Sequence, residues 1–355
     1  MTGTVYSSLK VLRDPARLGV LRAGKIPAPL HVRIKPTNVC NHACTFCAYR
    51  SGDLSLGAEM NTHDRLPREK MMEVADDLVE MGVQAVTFSG GGEPLIYPHI
   101  VEAVQRLAAG GIRIGVLTNG SRLRGKVADA FAEHATWVRV SIDGWDGPSY
   151  ARYRGLPEDA FERVLENLHA FARRGSRCSL GASLIVDRRN YRHVAALAAR
   201  LKACGVEHVK VSPCIVADDG AGNNAYHDPL APVVREQLAE AAALEDAGFR
   251  VIDHYHALPE KFDRPYRSCR MANLLTVIGA DARVYTCQDK AYTEAGMLGS
   301  IASMRFRDFW FSPENKHALR AIDPSRTCTH HCVADAKNRL LEEVLATDPD
   351  HAAFV

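Results

Sequence analysis

The chain reads as an α/β protein, a partial (β/α)6 barrel followed by a small α+β domain, and three observations carry that reading. Short β-branched runs alternate with longer amphipathic stretches from His31 onward; each short run leads into Gly, Asn, Asp or Pro; and the alternation gives way after His256 to a hairpin pattern. With 355 residues, 46% of them hydrophobic and 24% charged, there is material for one large core and a modest appendage.

The six short runs are His31 to Lys35, Gln84 to Ser89, Ile112 to Thr118, Trp137 to Ile142, Ser179 to Val186 and His208 to Ser212. Between them, Arg68 to Met81 sets Met71, Val74, Leu78 and Met81 at helical spacing, one apolar stripe to lay against a sheet. Ile100 to Ala109, Ala160 to Arg173 and Tyr191 to Cys204 repeat the pattern. A further helix at Val233 to Ala247 and a short run at Phe249 to Ile252 end this TIM-like part. Further on, Leu274 to Ile278, a Gly279-Ala280-Asp281 turn and Arg283 to Thr286 make a hairpin, followed by helices near Phe306 to Trp310 and Val333 to Leu345. Too few apolar residues lie there for a separate core, so a staple is expected. The expected division is an N-terminal extension over 1–29, the barrel over 30–256, the small domain over 257–340 and a tail over 341–355, with Gly220 to Asn224 as a surface loop.

A formal charge of +2, from 44 basic and 42 acidic side chains, argues against a protein that coats a polyanion, so no nucleic-acid partner is expected. No run approaches about 18 apolar residues and the first residues carry no export signal, which points to a cytoplasmic protein without a membrane partner. Ten cysteines in such a chain are read as metal or redox chemistry rather than disulfides.

Cys40, Cys44 and Cys47 form C-x3-C-x2-C on the loop after the first short run. Three thiolates can ligate three irons of a [4Fe-4S] cube and leave the fourth open, whereas structural zinc closes with four ligands; His42 is the residue a zinc reading would recruit. With Phe46 before the last cysteine, this loop resembles the radical S-adenosylmethionine (SAM) superfamily. The resemblance implies that SAM chelates the open iron and is cleaved by an electron to a 5'-deoxyadenosyl radical, with ferredoxin or flavodoxin as the electron donor.

Ser89-Gly90-Gly91-Gly92-Glu93-Pro94 looks like the family's GGEP motif, in which Gly91 and Gly92 allow close backbone approach and Glu93 meets the methionine ammonium. The resemblance also places Ser141 and Asp143 at the ribose and suggests Asn119 and Ser183 beside them, although strand-end capping explains the last two equally well. In Tyr150-Ala151-Arg152-Tyr153-Arg154-Gly155, Arg152 or Arg154 could hold a carboxylate or sit solvated at a helix start.

Cys269, Cys287, Cys328 and Cys332 make a second set, which on chemistry alone suits zinc or [4Fe-4S]. Their layout resembles the twitch domain, the shortened relative of the SPASM domain, and implies an auxiliary [4Fe-4S] cluster; the C-x3-C step with His330 and His331 departs from a shorter C-x2-C, and His331 is an alternative ligand. Of the remaining cysteines, Cys178 and Cys204 read as structural. Cys214 follows Ser212-Pro213 on the rim and could donate a hydrogen atom to a substrate radical.

Only about thirty residues precede His31, fewer than a peptide-gripping module would need, and the Gly-Gly ending of the molybdopterin cyclases is missing. A small-molecule substrate of sugar, aminocyclitol or nucleoside type is therefore expected, oxidised or epimerised. Candidate contacts are Asp218, Asn223, Asn224 and His227, and His254, His256, Arg264 and Arg267. The alternatives are modification of a ribosomally made peptide and a non-catalytic metal scaffold.

Overall fold

Alternating side chains explain how the strands seat. In β1 (His31–Ile34), Val32 and Ile34 are fully buried among helices while His31 and Arg33 face the other way, the period-two pattern of a strand with two different environments. Residues of the same buried cluster alternate likewise in β2 (Ala85–Phe88), β3 (Arg113–Thr118), β4 (Ala135–Ser141), β5 (Ser179–Val186) and β6 (His208–Pro213). The computed structural model describes residues 6–255, 262, 264–348, 350–351 and 354.

Helices α1 (Pro15–Arg22), α2 (Arg68–Glu80), α3 (Ile100–Ala109), α4 (Gly125–His134), α5 (Gly147–Arg154), α6 (Ala160–Ala172) and α7 (Val194–Ala203) precede or interleave the strands. Then come α8 (Gly220–His227), α9 (Ala231–Ala242) and β7 (Arg250–Asp253), and β7 pairs parallel to β6 and extends the expected six units by a strand. The last part holds β8 (Leu275–Ile278), β9 (Arg283–Tyr285), β10 (Met297–Ser300), α10 (Phe306–Trp310), α11 (Pro313–Arg320), α12 (Pro324–Thr327) and α13 (Asp335–Ala346).

All ten strands form one sheet in the order β10-β9-β8-β1-β2-β3-β4-β5-β6-β7. The partial TIM-like barrel is confirmed. The hairpin, however, is not a detached sheet: β8 runs parallel to β1 with Leu275 opposite His31, so the C-terminal part continues the barrel wall. Its want of apolar residues is met by sharing. Val284, Ile301, Phe306, Phe309 and Trp310 belong to the same buried cluster as Val32 and Val86, and the Trp310 indole donates to Pro27 O at 2.8 Å.

Two readings differ from expectation, and a third cannot be compared. Gly220 to Asn224 is the start of α8 rather than a loop, because Asp219 caps it by accepting from the Gly222 N–H at 2.7 Å. The division at 340/341 falls inside α13, whose Leu341 packs with Val11, Leu21, Met271 and Leu274, joining the N-terminal and C-terminal segments in a second small core. The division at 256/257 lies outside the described residues. No helix among the described residues is long and apolar enough to cross a membrane.

Candidate active site

Parallel strands put their carboxyl ends on one rim, and the chemistry-bearing loops leave from there. The Cys40–Cys47 loop follows β1 and is pinned from two sides. Gly92 N donates to Thr37 O (3.1 Å) and Glu93 N to Val39 O (2.9 Å), while Ala43 N and Thr45 N donate to Arg154 O and Tyr153 O at the end of α5. The Gly-rich turn therefore needs its glycines for the loop itself. A Cβ on Gly92 would stand 1.9 Å from Val39 O and one on Gly91 2.3 Å from Asn38 Oδ1, so the loop requires both glycines whatever else they meet.

Glu93 is fully buried and already accepts from Leu95 N (3.0 Å), Thr118 Oγ1 (2.5 Å) and Asn119 N (2.7 Å). Burial raises its pKa against those bonds. Asn119 in turn bonds Asn41 Oδ1 from its side-chain nitrogen, at 3.0 Å. Of the two candidate arginines, Arg152 is exposed and Arg154 is buried at the last residue of α5, before Gly155 in the left-handed conformation. Arg154 pairs with Asp143, donates to Ser141 O (2.8 Å) and Ser141 Oγ (3.2 Å), and lies 3.4 Å from Cys44 Sγ. Burial opposes its charge, but Asp143, Cys44 and Tyr150 outweigh that and raise its pKa. The other Asp143 oxygen accepts from Ile185 N at 2.8 Å. Phe46 packs edge-on to Tyr153 and under the Arg154 guanidinium.

The thiols fit the groups expected of them. No cysteine is in a disulfide. Burial lifts Cys40 to about 11, and Cys44 adds repulsion to both Cys40 and Cys47, as three convergent thiols on one loop must. In the second set burial again leads: Cys287 is pushed well up with Asp289, Cys332 and Cys269 adding to it, Cys332 rises to about 12, and Cys269 feels Cys328. Such mutual repulsion is relieved when thiolates share a cation. Cys269 precedes β8 and Cys287 follows the antiparallel β9, so this second set lies toward the end of the sheet opposite the rim. Cys287, Asp289 and His330 also bring their ligand atoms within 4.8 Å of one another, a grouping that spacing alone did not reveal.

Between the two sets opens a cavity of about 370 Å³ whose wall includes Phe46, Ser141, Ser183, Cys214, Asp289 and His331. Cys214 is buried with its Sγ 3.8 Å from His227 Nε2, and burial lifts it to about 12. Three of the expected substrate contacts are instead structural. Asn223 is buried and bonds Ala217 O and Asp219 O, His227 meets Tyr255 Oη at 3.0 Å, and Arg264 is buried against Asp335 and His330 O. Asp218 does border the cavity, where it accepts from Ser55 N at 2.9 Å; His256 lies outside the described residues.

Comparison with known proteins gives this geometry a context. Residues 34–201 match the family described as the Radical SAM superfamily. A GTP 3',8-cyclase of Thermodesulfovibrio yellowstonii is 31% identical over 39% of this chain and 44% of its own length. The PqqA peptide cyclase of Methylocella silvestris is 26% identical over 86% of this chain and 81% of its own, and the mycofactocin maturase MftC of Mycobacterium tuberculosis 28% identical over 85% and 75%. In fold the chain is similar to Streptococcus suis SuiB, solved bound to precursor peptide SuiA, at a TM-score of 0.63 and 14% identity over 94% of this chain and 78% of that one. The expectation of a sugar, aminocyclitol or nucleoside substrate is overturned by these matches. A peptide cyclase and a maturase are among the relatives aligned along most of this chain, so the length of the segment before β1 does not argue for a small substrate.

Proposed function

The chain belongs to the radical SAM superfamily, and from that premise we propose that it modifies a ribosomally made precursor peptide. The observation that carries this reading is the pair of matches, along most of this chain, to a peptide cyclase and a maturase. It is supported by a cavity, bordered by both cysteine-bearing regions, that can take a peptide side chain or chain end.

SAM and two [4Fe-4S] clusters are its cofactors; when bound, they supply one-electron chemistry and a carbon radical able to abstract hydrogen. In this reading Cys40, Cys44 and Cys47 hold the SAM-binding cluster and Cys269, Cys287, Cys328 and Cys332 the auxiliary one. Phe46, Gly91, Gly92, Glu93, Asn119, Ser141, Asp143, Ser183 and Arg154 surround SAM, with the Arg154–Asp143 pair bracing the site behind Cys44. Phe46 and the apolar wall made by Leu54, Leu117 and Ile185 exclude water from the reacting carbon. In an epimerisation Cys214 would give its hydrogen atom to the substrate radical, its thiyl then regaining an electron from the external donor and a proton from solvent; for a net oxidation the second cysteine set would hold the group that takes up the substrate's electron. A cytoplasmic setting with a ferredoxin or flavodoxin donor completes the reading.

The test is anaerobic reconstitution with SAM, a reductant and the short peptide encoded beside the gene, followed by mass spectrometry in deuterated water. Formation of 5'-deoxyadenosine together with loss of two hydrogens, or gain of one solvent deuterium that Cys214→Ala abolishes, is expected. SAM cleavage with an unaltered peptide refutes the reading.

A further inference from the structure

Strand alternation sends Val138 and Val140 outward to the helices and leaves Trp137, Arg139 and Ser141 facing the barrel interior; on β1 it does the same for Arg33, and on β6 for His208, Lys210 and Ser212. Cations therefore enter the lumen from three strands. Below the rim, where Asp143 and Asp187 are taken up by Arg154 and Arg189, the inward positions of β1 to β6 carry no carboxylate.

Arg139 borders the cavity. Its Nη1 donates to Tyr6 Oη at 2.6 Å, its guanidinium lies 5.6 Å from the Trp137 ring, and its buried Nε has no hydrogen-bond partner. Arg33 is close enough to repel it and itself keeps Nε and Nη1 without partners, but Arg33 is also drawn by Asp289 and Cys287 at the second cysteine set. Among the described residues no carboxylate forms an ion pair with Arg139, although Asp218 and Asp289 border the same cavity. A buried guanidinium left short of acceptors is costly, and an apolar side chain would fill the same space at less cost. Ser212, whose Oγ is likewise buried and unpartnered, and Ser183 stand on the same wall.

We propose that Arg139 is an anion subsite at the base of the cavity, which takes a carboxylate of the substrate and so orients the carbon presented toward the rim. The source of the carboxylate, a peptide chain end or an acidic side chain, rests on the peptide reading above; the subsite itself does not. A planar guanidinium with one edge open suits a carboxylate in two-pronged fashion, and the apolar residues above it suit the side chain that accompanies that carboxylate.

The probes are N-acetyl-L-leucine, for a chain end, and N-acetyl-L-glutamate α-amide, for a side chain, each against its uncharged amide. Binding to the cluster-reconstituted enzyme is read by calorimetry or saturation-transfer NMR. At least one acid should bind about tenfold or more tighter than its amide, and Arg139→Gln should erase that preference while Arg139→Lys keeps part of it. Whichever acid binds better names the source. Equal binding of acid and amide, or a preference that survives in Arg139→Gln, overturns the subsite whatever happens to a peptide. Weakening of SAM binding by Arg139→Gln as large as that of the acid assigns the arginine to SAM and overturns it too. Should Arg139→Gln fail to fold, the acid-to-amide ratio of the unaltered enzyme and of Arg139→Lys still decides. A precursor peptide left unmodified by an enzyme that retains the acid preference counts against the peptide reading alone.

Discussion

At Gly92 one missing methyl group lets the cysteine loop lie against the turn after β2. The built Cβ would stand 1.9 Å from Val39 O and 2.4 Å from Val39 C, both backbone atoms that cannot swing aside. Gly92→Ala should therefore shift the loop rather than unfold the barrel. Expected is a loss of SAM cleavage on the order of a hundredfold with reduced iron per chain, measured by 5'-deoxyadenosine formation and iron analysis; unaltered values would show that the loop has another way to seat. The cysteines were legible because their spacing is local. The partners of Glu93, Asp143 and Arg154 were not, since Thr118, Asn119, Ile185 and Cys44 come to them from other strands and loops.

Among the elements, α8 shows how a short helix hides in a sequence. Gly220, Gly222, Asn223 and Asn224 are poor helix formers, and only Asp219 in the cap position signalled the start. That cap carries more than its own helix, because the neighbouring Asp218 accepts from Ser55 N and Oγ and ties α8 to the segment beyond the cysteine loop. Asp219→Ala should cost about 1 kcal/mol, read from urea unfolding. A change of nil would mean that tertiary packing alone holds α8. The long strands, by contrast, were read to within a residue or two, because β-branched runs bounded by turn residues leave few alternatives. The helix α4 escaped notice for the opposite reason: Gly125 opens it and its apolar residues are mostly alanines.

For the whole molecule, the pairing of β8 with β1 is decisive, and no local pattern could announce it: those strands are far apart in sequence. Trp310 makes the same connection in the core. It is fully buried within the cluster that also holds Val32, and it bonds Pro27. Trp310→Ala should cost about 3–5 kcal/mol and lower one common melting transition, seen alike by circular dichroism and by cluster absorbance. Two separated transitions would show instead that the C-terminal part melts by itself.

The shared wall has a consequence for electron flow. Tunnelling rates fall steeply with distance, and clusters held by the two cysteine sets would be separated by paired backbone instead of a tether. Thermal breathing cannot widen that separation without breaking hydrogen bonds along β1.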